Sequence, residues 1–483
     1  MSIAAGPLGR VVPTDFLGLS FELRSLPSIA RYASAPLGTP GRTPVSGHAQ
    51  NELMTLLRSL GRGVLRFGGV SADEQAAWVE PGAPLPRWAN TSITPHNFAG
   101  IATLARETGW RVLLTVTLGH YDPHAAAREA AAAHAVLGPA LAGIEIGNEP
   151  DRFIGKHLRP DGWDFATYSR QVAAYRAAIE AAAPGTPIAG PDPATGTDGL
   201  LWLRAAARTL HPALLTDHYY PLSSCGYKPT VGELLSPNLR AGTDQMLASM
   251  LAIARRVHSP LRIDETNSIS CEGRRGVSDT FASTLWALDY IARAIRAGAV
   301  GVNFHDLPSK PGSYSPLLAP TATTPSVGAW HAQPEWYALL AARGLPGSRS
   351  LPARVFGAKP GELSASAFRA SDDRLSIVLV DFDPPGSRPL AVRLRPAPGT
   401  TVSGSIVDPA ARARTRAYVR GGVLRLTAPS PAATGGVRLG GRLVASDGSW
   451  TTPPALPALH NRAGALSLQL APSSAAVVTL YPR

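Results

Sequence analysis

The sequence predicts an α/β protein in which an eight-stranded β/α (TIM) barrel is followed by a C-terminal antiparallel β-sandwich. From about residue 14 to residue 343, short apolar runs alternate with helix-period segments, a pattern typical of parallel strands joined by helical crossovers. After Gly344 the helical periodicity ends, and short alternating runs are separated by Pro, Gly, Ser and Asp. The length of 483 residues also exceeds what one hydrophobic core usually holds, so we expect two domains.

Eight apolar runs are predicted to be the barrel strands. They are residues 16–21, 64–67, 112–117, 142–146, 187–189, 214–219, 261–264 and 300–304. Seven helical segments separate them, and a last helix is predicted near residues 334–340. This pattern fits an eight-fold barrel better than an open doubly wound sheet, since no Gly-x-Gly-x-x-Gly follows the first strand.

The helical segments carry two kinds of sequence signal. Between strands 4 and 5, spacings of three and four residues place one set of apolar side chains on a single helix face, namely Phe165, Tyr168, Val172, Tyr175 and Ile179. Thr243 and Ser278 each precede a helical pattern that has Asp in its first turn. We therefore expect these two residues to be N-caps.

The C-terminal part is predicted to contain the strands 363–368, 375–380, 390–394, 402–407, 423–426, 466–470 and 477–480. We place the catalytic barrel at residues 14–345 and the sandwich at residues 346–483. Residues 1–13 precede the first barrel strand, and Ile3 and Val11–Val12 are expected to add an edge strand to the sandwich. Trp450 is the first aromatic to consider for sugar binding if it is exposed, although burial in the core is the simpler expectation.

The chain is basic, with 46 Lys and Arg against 34 Asp and Glu and a formal net charge of +12. Such a charge suits nucleic acid, an acidic polysaccharide or an anionic surface. However, lysine occurs only at positions 156, 228, 310 and 359, and the arginines are scattered, as a coding bias would also produce. Because no basic stripe is interleaved with aromatic residues, nucleic-acid binding is not expected.

The N-terminus lacks the pattern of a signal peptide, and no run of eighteen residues is both apolar and uncharged. We therefore expect no membrane span, and localisation stays open because a leader can have been removed. The two cysteines, Cys225 and Cys271, lie at similar depth in the loops after strands 6 and 7. A disulfide that joins these loops is favoured over two separate thiols. Neither a metal site nor a cofactor is expected.

Two carboxylates are placed where a barrel carries its catalytic groups, at the C-terminal ends of strands. Strand 4 ends with Glu145-Ile146-Gly147-Asn148-Glu149-Pro150, and strand 7 ends with Asp264-Glu265-Thr266-Asn267. These strands face each other across the mouth, so Glu149 and Glu265 can flank a sugar ring. Hydrolysis of a glycosidic bond needs such a pair, one acid and one carboxylate. Taken singly, each glutamate could equally be a helix-cap partner or a member of an ion pair.

Other residues at the strand ends are candidates for binding or support. Asn148 is expected to hydrogen-bond the 2-hydroxyl of the sugar. Arg66, with the hydroxyls of Tyr219 and Tyr220, is a candidate to keep Glu265 ionised, whereas a structural ion pair is the alternative for Arg66. Glu22 and His120 either bind sugar hydroxyls or orient other groups. Burial and repulsion from Glu265 are expected to raise the pKa of Glu149.

The motifs around these residues resemble glycoside hydrolase family 79, which contains β-glucuronidases and heparanase. The resemblance rests on Asn148-Glu149-Pro150 with Glu265, and on four further strand-end motifs: Gly18-Leu19-Ser20-Phe21-Glu22-Leu23, Leu65-Arg66-Phe67-Gly68-Gly69, Asp217-His218-Tyr219-Tyr220-Pro221 and Ile263-Asp264-Glu265-Thr266-Asn267. It implies that Glu149 is the acid/base and Glu265 the nucleophile of a retaining reaction. It also implies that the loop after strand 8 binds a substrate carboxylate through Gly312, Ser313 and Tyr314.

The expected function is removal of a terminal β-linked glucuronic acid, or its 4-O-methyl relative, from a glycan or glycoside. Endo cleavage of an acidic polysaccharide is the alternative within enzymes, and it would call for a cleft lined by basic side chains. A non-catalytic carbohydrate-binding barrel is the alternative outside enzymes. Such a protein is expected to lack one of the two glutamates, and both are present.

Overall fold

A computed structural model describes residues 2–3, 8–34, 49–320, 330–396, 418–454, 456–460 and 466–482. Its central element is a parallel sheet of eight strands, numbered here 1 to 8 in chain order: Leu17–Glu22, Val64–Gly68, Arg111–Val116, Leu141–Ile146, Ala189–Pro191, Leu214–Tyr219, Leu261–Thr266 and Gly301–Asp306. Each strand lies beside the next one in sequence, and strand 8 pairs with strand 1. A parallel bridge between Ile144 and Ile188 connects strands 4 and 5. The predicted barrel is therefore confirmed.

All eight predicted strands are present, with ends displaced by one or two residues in most cases. Strand 7 continues to Thr266, two residues beyond the predicted end, since buried polar residues follow its apolar run. Strand 5 begins at Ala189 rather than at residue 187. The carboxyl ends of all eight strands meet at one mouth of the barrel, which is where a TIM barrel builds its site.

Helices cover the outside of the barrel. The α-helices are Leu26–Ser34, Ala49–Leu60, Ser71–Glu74, Pro95–Thr108, Pro123–Leu137, Phe165–Ala182, Thr197–Thr209, Val231–Leu234, Pro237–Arg256, Phe281–Ala297 and Trp336–Ala342, and short 3-10 turns lie at Leu23–Ser25, Gly138–Ala140 and Pro150–Arg152. On helix Phe165–Ala182, four of the five residues of the predicted apolar face are buried, and Phe165 packs beside them. Among the described helices, none has the length and apolar character needed to cross a bilayer.

Both predicted N-caps are wrong. Helix Pro237–Arg256 begins at the earlier Ser-Pro pair, where the Ser236 hydroxyl accepts a hydrogen bond from the amide of Leu239. Thr243 therefore lies inside this helix, and its hydroxyl donates to the carbonyl of Leu239. The next long helix is capped by Thr280 instead of Ser278. Proline at the first helical position was the stronger signal, because its missing amide costs nothing there.

The segments that connect the barrel strands and helices form three two-stranded ladders: Ala76–Trp78 with Thr91–Ile93, Leu222–Ser223 with Ile269–Ser270, and Leu317–Leu318 with His331–Ala332. The second of them joins the loops after strands 6 and 7. These two loops are therefore joined by backbone pairing beside the residues that end both strands.

The C-terminal domain consists of two sheets. One contains Arg349–Leu351, Leu363–Arg369, Leu375–Asp381, Tyr418–Thr427, Arg438–Leu439, Ala458–His460 and Ser474–Pro482. The other has the order Ala353–Arg354, Ser2–Ile3, Leu390–Pro396 and Leu466–Leu470. The N-terminal strand Ser2–Ile3 thus lies inside the second sheet, whereas an edge position was expected. Val11 forms a bridge with Arg349, and the predicted strand 402–407 lies outside the described residues.

One face of the sandwich shares an apolar core with the barrel, and a second buried cluster lies between the two sheets of the sandwich. Val378, Val380 and Val477 of the sandwich belong to the same buried cluster as the helices of the barrel. The amide of Phe281 donates to the carbonyl of Ala433, which ties the start of a barrel helix to the sandwich. Trp450 is buried beneath the guanidinium of Arg343, 4.7 Å from its ring centre, so it does not offer a surface for sugar stacking.

Candidate active site

A single guanidinium lies at the centre of the barrel mouth. Arg66, near the end of strand 2, is fully buried, and burial alone would lower its pKa, but Glu145 and Asp264 reverse this and raise it. Its Nε lies 2.8 Å from Glu145 Oε2 and 2.9 Å from Asp264 Oδ2, and its Nη1 lies 2.7 Å from Glu265 Oε2. The sequence left two roles open for Arg66, to keep Glu265 ionised or to form a structural ion pair. The structure shows both contacts, since Arg66 is bonded to Glu265 and is also paired with Glu145 and Asp264.

Glu265 is held in place by strand 7 and its neighbours. The register of this strand shifts between Ile263 and Glu265, and such a bulge interrupts the alternation of inward and outward side chains. As a result, Asp264 and Glu265 both reach Arg66. The Tyr220 hydroxyl donates to Glu265 Oε1 at 2.8 Å. Burial opposes the charge of Glu265, but His305, His218, Arg66 and the Tyr220 hydrogen bond lower its pKa well below the ordinary value, so it stays ionised.

Glu149 follows strand 4 in a left-handed backbone conformation with φ 52°, a conformation that costs a non-glycine residue energy and is concentrated at functional sites. Its amide donates to the carbonyl of Asp192, which fixes this turn. Its carboxylate contacts two cationic groups, Lys156 Nζ at 2.9 Å from Oε2 and His218 Nδ1 at 3.4 Å from Oε1.

The expectation of a raised pKa for Glu149 is wrong for the unliganded protein. Burial does raise the pKa, but the ammonium of Lys156 and the ring of His218 outweigh it and lower the pKa of Glu149 to about 2. Repulsion from Glu265 is the weaker effect. Sequence reasoning missed Lys156 because it comes seven residues after Glu149, in a loop without periodicity, and only the fold returns it to the carboxylate.

Two histidines of the site were also missed. His218 lies between the two glutamates, and although burial disfavours its charge, Glu265 and Asp264 raise its pKa. His305, on strand 8, places Nδ1 3.7 Å from Glu265 Oε2 and Nε2 3.6 Å from Glu22 Oε1. The alternation of side chains along a strand could have found them, since residues two apart share a face.

Tyr219 does not belong to the site. Its hydroxyl donates to the hydroxyl of Thr243, and its ring stacks on Tyr290 at 5.7 Å between centres, so it points away from the barrel interior. Along strand 6, His218 and Tyr220 face inward, whereas Tyr219 faces the helices. The period of two therefore separates the two tyrosines that the sequence analysis treated alike.

Asn148 lies beside the acidic pair with its amide oxygen occupied. Arg66 Nη2 donates to Asn148 Oδ1 at 2.9 Å, which leaves the NH2 group of the side chain to donate elsewhere. The backbone amide of Asn148 donates to Asp73, and the same carboxylate accepts from the amides of Leu118 and Gly119. Asp73 thus fixes the loops after strands 3 and 4, a role that no sequence pattern indicated.

Glu22 and His120 occupy different parts of the mouth. Glu22 is buried, accepts a hydrogen bond from the amide of Ser71 at 2.8 Å, and shares His305 with Glu265. Burial alone would raise the pKa of Glu22, but the contacts with His305 and Ser71 lower it by more than that, so Glu22 is ionised. His120 is partly exposed and stacks on Trp88 with ring centres 3.8 Å apart. Burial lowers its pKa, so the imidazole is neutral at neutral pH.

Of the three residues predicted in the loop after strand 8, Tyr314 joins the site. Its ring lies 5.9 Å from that of Tyr220 and 5.8 Å from that of His305. Ser313 is already engaged, because its amide donates to the carbonyl of Lys310 and its hydroxyl donates to the carbonyl of Glu272. The amide and the hydroxyl of Ser313 are therefore both used within the loops, and its role in binding a ligand stays a prediction.

Gly312 has a left-handed φ of 84°, and a Cβ atom on it would lie 2.6 Å from Arg275 Nε. The guanidinium of Arg275 therefore packs on this glycine, and a larger residue would displace it. Arg275 brings a positive charge to the loop that was expected to bind a carboxylate.

Cys225 and Cys271 are joined by a disulfide, with their Cα atoms 5.8 Å apart. The bond lies next to the parallel ladder in which Leu222 pairs with Ile269 and Ser223 with Ser270. The loops that follow Tyr220 and Glu265 are thus linked both covalently and by backbone pairing.

Within the described part of the chain, one group of side chains has the spacing of a metal site, namely Asp192, His218 and Asp264. All three are buried around Arg66, whose Nη2 lies 3.7 Å from Asp192 Oδ2. The guanidinium of Arg66 thus supplies the positive charge beside Asp192 and Asp264 that a metal ion would otherwise supply. Burial and the neighbouring Asp264 raise the pKa of Asp192 far above its ordinary value, so this carboxyl carries a proton.

Solved structures of the same architecture match the chain over its whole length. A 4-O-α-L-rhamnosyl-β-D-glucuronidase from Fusarium oxysporum 12S has a TM-score of 0.74 at 17% identity and covers 99% of this chain and 100% of its own. A GH51 arabinofuranosidase from Xanthomonas axonopodis pv. citri has a TM-score of 0.67 at 12% identity, with 98% and 99% covered. These likenesses establish the fold.

A third neighbour, the catalytic domain of the GH30 xylanase C from Talaromyces cellulolyticus, has a TM-score of 0.58 at 12% identity and covers 99% of both chains. No protein-family model and no curated protein matches the sequence. All three neighbours bear the names of glycoside hydrolases, and none of the three is named as a member of family 79. The resemblance to that family therefore stays a prediction.

Proposed function

We propose that the protein is a retaining glycoside hydrolase that removes terminal β-linked glucuronic acid, or its 4-O-methyl relative, with Glu149 as acid/base and Glu265 as nucleophile. The observation that carries the proposal is the pair of carboxylates at one mouth: His218 Nδ1 lies 3.4 Å from Glu149 Oε1, and the same histidine interacts electrostatically with Glu265. Glu265 is ionised and held by Arg66 and Tyr220, as a nucleophile requires.

The reaction proceeds in two displacements. Glu265 attacks the anomeric carbon while the bond to the leaving oxygen breaks, and Glu149 transfers its proton to that oxygen. Glu149, now a carboxylate, then takes a proton from water, and the resulting hydroxide attacks the anomeric carbon and releases Glu265. Two inversions give net retention. The free NH2 group of Asn148 is directed to the 2-hydroxyl, a contact that strengthens at the transition state.

The choice of a glucuronide is supported by the donors around the loop after strand 8. The Tyr314 ring packs beside those of Tyr220 and His305, so its hydroxyl is the candidate donor to the carboxylate of a uronic acid, and Arg275 adds a positive charge to the same loop. The structural likeness to a rhamnosyl-glucuronidase points in the same direction. The endo alternative would require the sugar-binding cleft to accept residues on both sides of the cleaved unit.

The test is hydrolysis of an aryl β-glucuronide beside the matched aryl β-glucoside, with the anomeric configuration of the first product followed by NMR. We expect the glucuronide to be preferred by at least about tenfold, because a charge-assisted contact is lost with the glucoside. Equal rates would contradict the recognition of a carboxylate. A product of inverted configuration would contradict the role of Glu265 as nucleophile.

The two glutamates are distinguished by their response to the leaving group. Glu265→Gln is expected to abolish turnover of every substrate. Glu149→Gln is expected to spare dinitrophenyl glycosides and to slow those with poor leaving groups by about 10² to 10⁴, the range of general acid catalysis. The measurement is kcat of the wild type and of Glu149→Gln against the pKa of the leaving phenol, with the residual turnover of Glu265→Gln on the same substrates. If Glu149→Gln lowered kcat equally for all leaving groups, Glu149 would not be the general acid.

A further inference from the structure

Lys156 occupies an unusual position for one of only four lysines in the chain. It lies in the loop after strand 4, where its amide donates to the carbonyl of Arg152, and its Nζ is 2.9 Å from Glu149 Oε2. The side chains of Lys156 and Glu149 are 20% and 19% exposed, respectively. The pair is therefore largely withdrawn from water but can be reached from the mouth.

This ion pair conflicts with the chemistry proposed for Glu149. A general acid must carry a proton when the substrate is bound, whereas Lys156 keeps the carboxylate ionised. Once Glu149 is protonated, the ammonium of Lys156 has lost its partner in a mostly buried place. An unpaired buried charge is costly, so another anion has to replace Glu149.

The protein offers few replacements near Lys156. Asp73 also interacts with Lys156, but its oxygens are already used by the amides of Leu118, Gly119 and Asn148. Glu74 is partly exposed and interacts with Lys156 as well, although burial raises its own pKa. His218, on the other side of Glu149, is cationic and cannot serve. Among the described residues, Glu74 is thus the side chain that could pair with Lys156 in place of an anionic ligand.

We propose that Lys156 binds an anionic group of the leaving group, so that the preferred substrates are glycosides whose aglycone carries a carboxylate or a sulfate close to the linkage. The inference rests on the proposed function, because the acid/base marks the leaving-group side of the cleaved bond. The anion draws Lys156 from Glu149, which then takes up the proton that it must donate. Lysine suits this movement, since its ammonium is a point charge on a flexible stem. The net charge of +12 also favours the approach of acidic substrates.

The first test is binding, which does not depend on turnover. Phenyl 1-thio-β-D-glucuronides carrying a meta-carboxylate, a meta-sulfate or a meta-carboxamide are titrated calorimetrically into the wild type and into Lys156→Met. We expect the two anionic ligands to bind the wild type about tenfold more tightly than the amide, and this preference to vanish in the variant. A preference limited to one of the two anions would identify which group Lys156 accepts.

Lys359→Met is the control, because Lys359 is an exposed lysine of the C-terminal domain, outside the site. It is expected to bind all three ligands like the wild type. Equal affinity of the wild type for charged and neutral aglycones would overturn the proposal, as would binding of none of them. A preference that survives in Lys156→Met would do the same and would show that another cation binds the anion.

Hydrolysis separates this inference from the proposed function. The oxygen-linked phenyl glucuronides with the same substituents are compared by kcat/KM over pH, with phenols of matched pKa. Hydrolysis of the neutral compound supports the glycosidase whether or not an anion is preferred. If Lys156 acts as proposed, the ratio of kcat/KM for charged to neutral substrates falls to about one in Lys156→Met. In the same variant, the fall of kcat/KM at alkaline pH for the neutral substrate moves to higher pH, since Glu149 then holds its proton more tightly.

Discussion

At the scale of the residue, the mouth of the barrel is organised by charge rather than by apolar contact. Arg66 is surrounded by Glu145, Asp264 and Glu265, and two of these carboxylates, Glu265 and Asp264, also raise the pKa of the buried His218. A buried charge is tolerated when it is paired and hydrogen-bonded. As a result Glu265, the proposed nucleophile, stays ionised although it is buried.

The two adjacent tyrosines of strand 6 provide a matched pair of variants. Tyr220→Phe removes the hydrogen bond to Glu265 and is expected to lower kcat by about tenfold, with little change in stability. Tyr219→Phe removes the hydrogen bond to Thr243 and is expected to lower the free energy of unfolding by about 1 kcal/mol without changing kcat. Kinetics and urea denaturation of both proteins give the comparison. A larger catalytic loss for Tyr219→Phe would show that the assignment of the two faces is reversed.

At the scale of the element, helix Pro123–Leu137 carries a carboxyl group that the site does not use. Glu129 is buried within this helix, and among the described residues its Oε1 has no hydrogen-bond partner. Burial raises the pKa of Glu129 from 4.5 to about 8. In the unfolded chain the group ionises near its ordinary pKa, so the folded state loses stability as the pH rises from about 4.5 to about 8.

Removal of this charge is expected to flatten the dependence of stability on pH. Between those two pKa values the wild type loses up to about 1.4 kcal/mol per pH unit through Glu129, and Glu129→Gln abolishes that contribution. The measurement is the free energy of unfolding at pH 5 and pH 8 for both proteins. Glu107→Gln, on an exposed side chain, is the control and keeps the slope of the wild type. An unchanged slope in Glu129→Gln would mean that this carboxyl is solvated.

The loops after strands 6 and 7 are joined by the disulfide between Cys225 and Cys271, whose contribution to stability can be measured. The disulfide closes a loop of 46 residues, and the entropy of closing such a loop in the unfolded chain corresponds to about 4 kcal/mol. Replacement of Cys225 and Cys271 together by Ala is therefore expected to lower the free energy of unfolding by up to this amount. Reduction of the wild type is expected to have the same effect. No change in either experiment would show that the bridge adds nothing to stability.

At the scale of the whole molecule, one face of the sandwich packs into the hydrophobic cluster of the barrel, while the interior of the sandwich forms a separate cluster. The backbone of Phe281 and Ala282 is also hydrogen-bonded to the C-terminal domain. Deletion of residues 346–483 is expected to leave insoluble protein, because it exposes the apolar helix Phe281–Ala297 and removes the partners of Ser2–Ile3. Light scattering of the purified fragment is the measurement. A soluble, cooperatively folding fragment would contradict a shared core.

The sequence by itself determined the eight strands, the order of the two domains and the strand ends on which the two glutamates lie, because these depend on local hydrophobic period. Tertiary structure decided which neighbours change the chemistry of those residues. His305 on strand 8 lies beside Glu265 because the closed barrel brings distant segments of the chain together. The loop after strand 4 returns Lys156 to Glu149, although no local pattern in the sequence indicates this contact. A residue's charge state depends on what surrounds it in space, so the pKa of Glu149 could not be read from the order of residues along the chain.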